Sequence, residues 1–206
     1  MNHEPGTHTL LRIADADSLL ETTAPSPWVI ESLRCAPWVV VRRAAASGSR
    51  IAVGVRGAQR VQRHASWIET CAILEKVTPQ DLARSRSWRS CARRGAIPAI
   101  AALDSVEAIM SGQGFSQAWG PTGSVGFELA TGWTSASPAS DLDLALWMDE
   151  PMTAPVARYL VSALENLGVR SDLLIEMPRG AAALSEIARA GPVMLRTVSG
   201  PRLVQS

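Results

Sequence analysis

Residues 140–147 read SDLDLALW, two carboxylates two places apart in an otherwise apolar run. Side chains alternate along a strand, so Leu142, Leu144 and Leu146 share one face while Asp141 and Asp143 share the other. The pattern predicts a strand with one face in a core and an acidic opposite face. Two like charges at this spacing repel, and burying them unpaired is costly. A Mg²⁺ ion resolves both problems, because it accepts a few hard oxygen ligands. A second strand over 171–176 (SDLLIE) offers Asp172, with Glu176 in reserve, as a third carboxylate. Taken alone, an Asp-x-Asp pair is more often simply the solvent-facing end of a strand.

The residues before the pair change that balance. WGPTGSVGFELATG, 119–132, is rich in glycine and then helical. Gly123 permits a backbone turn that other residues resist. The N–H groups at the start of the following helix, with the Ser124 hydroxyl, suit phosphate oxygens. No Gly-Lys-Ser/Thr of a Walker loop occurs, and no Gly-x-Gly-x-x-Gly precedes a helix, which argues against a dinucleotide fold. After the pair, Pro155 opens a helix with Val156, Leu160, Ala163, Leu164 and Leu167 on one stripe, and Gly168 ends it. Residues 180–190 read as an Ala-rich helix and 192–198 as a last strand. Upstream, IPAIAALDSVEAIM, 97–110, reads as a helix stopped near Gly112. This alternation predicts an α/β (α+β) fold, a mixed sheet flanked by helices.

The first half is a smaller region with β-strands. PWVVVRR, 37–43, and RIAVGVRG, 50–57, flank a turn at 46–49 and read as antiparallel strands. Thr78 caps and Pro79 opens a helix. The boundary is expected between domains 1–85 and 86–206.

The chain has 206 residues, 47% hydrophobic, which is enough to bury one large core or two small ones. Its net charge of +1 carries no global signal for nucleic acid. The charge is uneven: residues 1–100 hold 14 Lys+Arg against 8 Asp+Glu, and residues 101–206 hold 6 against 11. A basic half beside an acidic half suits an anionic ligand held with a divalent metal, or is a coincidence of small numbers. Cys35, Cys71 and Cys91 show no paired motif, and His3, His8 and His64 form no zinc pattern. No basic-then-apolar leader and no 18-residue apolar run occurs. The expectation is a cytoplasmic protein with no membrane partner.

Gly123-Ser124, then Asp141-x-Asp143, then an acid on a later strand, resembles the nucleotidyltransferase superfamily, with a longer spacer than is usual there. WGPTGSVGFELATG…SDLDLAL with GVRGAQRVQR upstream is similar to the phosphoribosyl-dephospho-CoA transferases of malonate decarboxylase, its holo-acyl-carrier-protein synthases. That resemblance runs effectively end to end. It implies transfer of phosphoribosyl-dephospho-CoA from 2′-(5″-triphosphoribosyl)-3′-dephospho-CoA to a serine of the apo acyl carrier subunit, with release of pyrophosphate. It implies Asp141, Asp143 and Asp172 as catalytic and metal-holding carboxylates, Gly123 and Ser124 as the phosphate loop, and Mg²⁺. The attacking hydroxyl belongs to the carrier protein, so the chain needs no nucleophile of its own.

VRGAQRVQR, 55–63, brings three arginines close. A helix over 58–65 would put Arg56, Arg60 and Arg63 or His64 on roughly one face, a grip for donor phosphates or a solvated basic face. RSRSWRSCARR, 84–94, is a steering surface for donor or carrier, or is simply solvated. Trp119 and Trp133 flank the phosphate loop as adenine platforms or as core anchors. Nucleic acid is disfavoured, because no regularly spaced aromatics form a stacking platform. The competing functions are a nucleotidyltransferase with another small-molecule or protein acceptor, and a non-catalytic carrier-binding adaptor.

Overall fold

A computed structural model of the chain describes residues 5–20, 24–45, 47–59 and 61–205. The chain divides into two compact units, 1–78 and 79–206.

The first unit is built on an antiparallel sheet. Its strands are β1 (Leu10–Arg12), β2 (Trp38–Val41), β3 (Arg50–Arg56), β4 (Arg63–Glu69) and β5 (Glu75–Val77), in the order β4-β3-β2-β1-β5. Helix α1 (Pro27–Cys35) starts with its proline inside the first turn, where the missing N–H has no helical acceptor to lose. It buries Val29 and Leu33 with Leu11, Val39, Val53 and Ile68 in one apolar cluster. A helix over 58–65, the condition for that shared basic face, is not formed among the described residues. Gly57 N–H donates to the Gln62 carbonyl at 3.0 Å, and Arg56 and Arg63 pair across the mouth of a hairpin. Cross-strand pairing wins because RHASWIE, 63–69, buries Ser66 and Ile68 at alternate positions, a period a helix cannot satisfy.

The second unit opens with α2 (Pro79–Ser85), α3 (Pro98–Ala101) and α4 (Leu103–Gly112). Then follow β6 (Trp119–Pro121), α5 (Gly123–Thr131), β7 (Leu142–Trp147), α6 (Ala154–Glu165), β8 (Ser171–Met177), β9 (Gly180–Ala183), α7 (Leu184–Ala188), β10 (Pro192–Thr197) and β11 (Gly200–Gln205). The six strands form one mixed sheet in the order β11-β10-β9-β8-β7-β6. Only β7 and β8 run parallel, joined by α6. Residues 180–183, expected to begin a helix, instead pair with β8. Their small alanines tolerate either state, and the open sheet edge decides.

The division falls at Thr78/Pro79, seven residues before the expected one. Helix α2 belongs to the second unit: the Pro79 carbonyl lies so close to Gly120 of β6 that no side chain fits there. Leu142, Leu144 and Leu146 enter a core shared with Val106 and Met110 of α4, Leu160 and Leu164 of α6, and Leu173 and Ile175 of β8. Burying each such side chain contributes roughly 1.5–3 kcal/mol, which fixes the register of the strand that carries the acids. Among the described residues no helix is long and apolar enough to cross a membrane.

Candidate functional site

With the leucines of β7 committed to the core, Asp143 is left on the opposite face of the sheet. The parallel register sets Asp172 directly beside Asp143 and Glu176 beside Trp147. Neighbours in register share a face, so Asp143 and Asp172 lie together on it. Glu176 lies four residues further along β8, about 13 Å at strand rise, and is buried. Asp141 immediately precedes β7. It is partly exposed, with its Oδ2 3.8 Å from Nη1 of Arg170, and Arg170 in turn accepts a 2.8 Å hydrogen bond at its carbonyl from Leu142 N–H. Arg170 is a cation at the site that sequence reasoning did not assign.

The Gly-Ser turn meets the same strand. Thr122 N–H donates to the Asp143 carbonyl at 2.8 Å, and α5 begins one residue later. Gly123 has φ of +59°, in the left-handed region, and a Cβ built there would collide with Oδ2 of Asp143. Both facts require glycine: the backbone turns sharply and lets the carboxylate approach the chain. Ser124 follows at the helix start and is buried. The free N–H groups of a helix's first turn have no acceptors of their own and attract anions. Gly123, Ser124, Asp143 and Asp172 are therefore brought together, and Asp141 stands at the strand entrance.

These donors are hard carboxylate oxygens, the chemistry Mg²⁺ takes. Among the described residues no three His, Cys, Asp or Glu side chains converge into a metal-binding group. The donor set fits the ion in kind.

A further residue, next to the site, also went unnoticed in the sequence. Glu128 of α5 has a side chain only 4% exposed. Its carboxylate accepts from Arg93 Nη1 at 2.8 and 2.9 Å, from Ser135 N–H at 2.9 Å and from Ala136 N–H at 2.8 Å. Nη2 of Arg93 donates to the Ala136 carbonyl at 3.0 Å, and the Ser135 hydroxyl donates to the Ser124 carbonyl at 2.7 Å. The long spacer between Ser124 and Asp141 is thereby strapped onto α5. The only sequence signal was an acid at an otherwise apolar helix position, with a partner 35 residues upstream.

The basic stretch 84–94 is mostly consumed within its own unit. Arg84 pairs with Asp81, Arg86 and Arg89 with Glu107, and Arg89 and Arg94 with Asp104. Trp88 Nε1 also donates to Asp104 at 3.0 Å. That hydrogen bond first, then the one from Arg89, holds the Asp104 carboxyl below the usual range. Trp119 is 1% exposed and packs 6.0 Å from Trp88, so it is a core residue; Trp133 is exposed. Arg56 and Arg63 face each other across the β3–β4 hairpin of the first unit, and Arg60 lies outside the described residues.

Two family models match the chain. Residues 6–79 match the phosphoribosyl-dephospho-CoA transferase MdcG N-terminal domain, and residues 82–206 match the corresponding C-terminal domain. A phosphoribosyl-dephospho-CoA transferase of Azotobacter vinelandii is 40% identical over 205 residues, covering 97% of this chain and 92% of the relative. Proteins of the same description from Pseudomonas aeruginosa and Klebsiella pneumoniae are 38% and 36% identical, each over 98% of this chain and over 92% and 96% of the relative. No solved structure matches.

Proposed function

The chain belongs to the phosphoribosyl-dephospho-CoA transferase family, and on that footing we propose the reaction, its acceptor and the residues that carry it. The substrate is 2′-(5″-triphosphoribosyl)-3′-dephospho-CoA, and the acceptor is a serine of the apo acyl carrier subunit of malonate decarboxylase. The serine oxygen bonds to the α-phosphorus, the bond from that phosphorus to the bridging oxygen breaks, and pyrophosphate leaves. The serine proton passes to a carboxylate, Asp143 or Asp172. The setting is the cytoplasm, where apo carrier protein is made.

The observation that carries the reading is the meeting of the Gly123-Ser124 turn with Asp143 and Asp172 on one face of the sheet. The turn binds donor phosphate through helix-start N–H groups and the Ser124 hydroxyl. Asp141, Asp143 and Asp172 would hold Mg²⁺, which when bound neutralises charge on the phosphates and lowers the pKa of the attacking hydroxyl. Beyond that, the chain positions two substrates and supplies a proton acceptor, which is where most of the barrier reduction in phosphoryl chemistry arises. Arg56, Arg60 and Arg63 are cations of the kind that grip phosphate.

The test is intact mass of purified apo carrier protein after incubation with the donor and Mg²⁺. The expected result is a gain equal to phosphoribosyl-dephospho-CoA, with none when the metal is chelated and none with ATP alone. A gain of AMP from ATP would favour a nucleotidyltransferase of different donor. Carrier binding without any gain would favour an adaptor.

A further inference from the structure

The spacer between the phosphate turn and the carboxylate pair is held by an ion pair with a buried carboxylate and a part-buried guanidinium, whose cation comes from outside both. Glu128 and Arg93 are not themselves part of the phosphate turn or the acid face. Yet every hydrogen bond described for the Glu128 carboxylate goes to Arg93 or to the backbone of the spacer, at Ser135 and Ala136. Arg93 returns a bond to the spacer at the Ala136 carbonyl. The next contact inward is Ser135 Oγ to the Ser124 carbonyl, in the first turn of α5. The spacer then turns through Ser137 and Ser140, whose hydroxyl accepts from Ser137 N–H at 2.9 Å, and delivers Asp141.

We propose that Arg93 and Glu128 are positioning residues for the transfer site: together they fix the spacer on α5, and so set Asp141 relative to Ser124. This deepens the transferase reading and rests on it for its effect on turnover. Two physical points favour it over a merely stabilising role. A buried ion pair is seldom the most stable way to fill a volume, since apolar residues of similar size do as well or better. What apolar residues cannot supply is a set of acceptors for two backbone N–H groups, and those groups belong to the loop that leads into the carboxylates. Fully satisfied polar networks of this kind specify one geometry.

The experiment compares Glu128→Gln and the double variant Arg93→Met/Glu128→Leu with the wild type. Three quantities are read: thermal stability, amide exchange at Ser135 and Ala136, and kcat with KM for the carrier protein. Glu128→Gln presents an N–H₂ to donors and is expected to speed exchange at both amides. It should lower kcat about 10–100-fold, the scale of an ångström-level misplacement, with carrier KM nearly unchanged. The double variant is expected to regain stability but neither the slow exchange nor the turnover. Recovery of turnover along with stability in the double variant would overturn the proposal, as would unchanged exchange at Ser135 and Ala136 in Glu128→Gln. A wild-type protein that transfers nothing would instead sink the transferase reading, and the exchange data would still judge the strap by itself.

Discussion

Gly123 is the residue on which the site geometry is tightest. Its φ of +59° and the approach of the Asp143 carboxylate leave no room for a side chain. Gly123→Ala is expected to cost about 1–3 kcal/mol of stability, because it combines left-handed backbone strain with a forced shift of Asp143. Transfer activity should be lost even where the variant remains folded, which thermal unfolding and a product-mass assay would check together. Asp104 makes a prediction of a different kind. The Trp88 and Arg89 hydrogen bonds hold its carboxyl below the ordinary value. The unfolded chain therefore binds this proton more readily than the native one. The resulting stabilisation is present in full above about pH 4 and is lost as pH falls through the lowered value. Asp104→Asn should thus be less stable than wild type at pH 7, with the gap narrowing at pH 3, as read by urea unfolding at each pH.

At the scale of elements, the β7–β8 register separates the two candidates for a third acid. Asp172 stands beside Asp143, and Glu176 beside Trp147. Asp172→Asn is expected to lower kcat about 100-fold with little loss of stability, whereas Glu176→Gln should act on stability and leave kcat within about a factor of two. Steady-state transfer rates set against melting temperatures separate the two effects. The strand itself was legible because alternating leucines and aspartates allow one conformation only. The sequence offered two candidates for a third acid, since periodicity gives the face but not the register. The arginines at 56–63 show the opposite case. Their spacing imitates a helical face, but the flanking residues alternate, and cross-strand pairing of Arg56 with Arg63 won. Glu128 and Arg93 were not legible at all, because nothing local marks a contact made across 35 residues. Helix α1 and strands β4, β5, β6 and β11 also escaped, being short or without a clean period.

For the whole molecule, the position of the boundary changes the meaning of the charge. Counted by halves the chain is strongly divided, but the arginines of 84–94 belong to the second unit. Residues 1–78 hold 9 Lys+Arg against 7 Asp+Glu, and residues 79–206 hold 11 against 12. Each unit is nearly neutral, and the basic stretch serves its own acids rather than presenting an open cationic surface. An anionic donor would then have to be recognised by local groups rather than by an overall field. The account turns on one claim, that transfer takes place at the acid face of β7. Its most direct test is the mass of apo carrier protein after incubation with donor, Mg²⁺ and either wild type or Asp143→Asn. Asp143→Asn folded like wild type and yielding no phosphoribosyl-dephospho-CoA adduct is the predicted result. A full adduct from that variant at the wild-type rate would contradict the account and move the chemistry elsewhere in the chain.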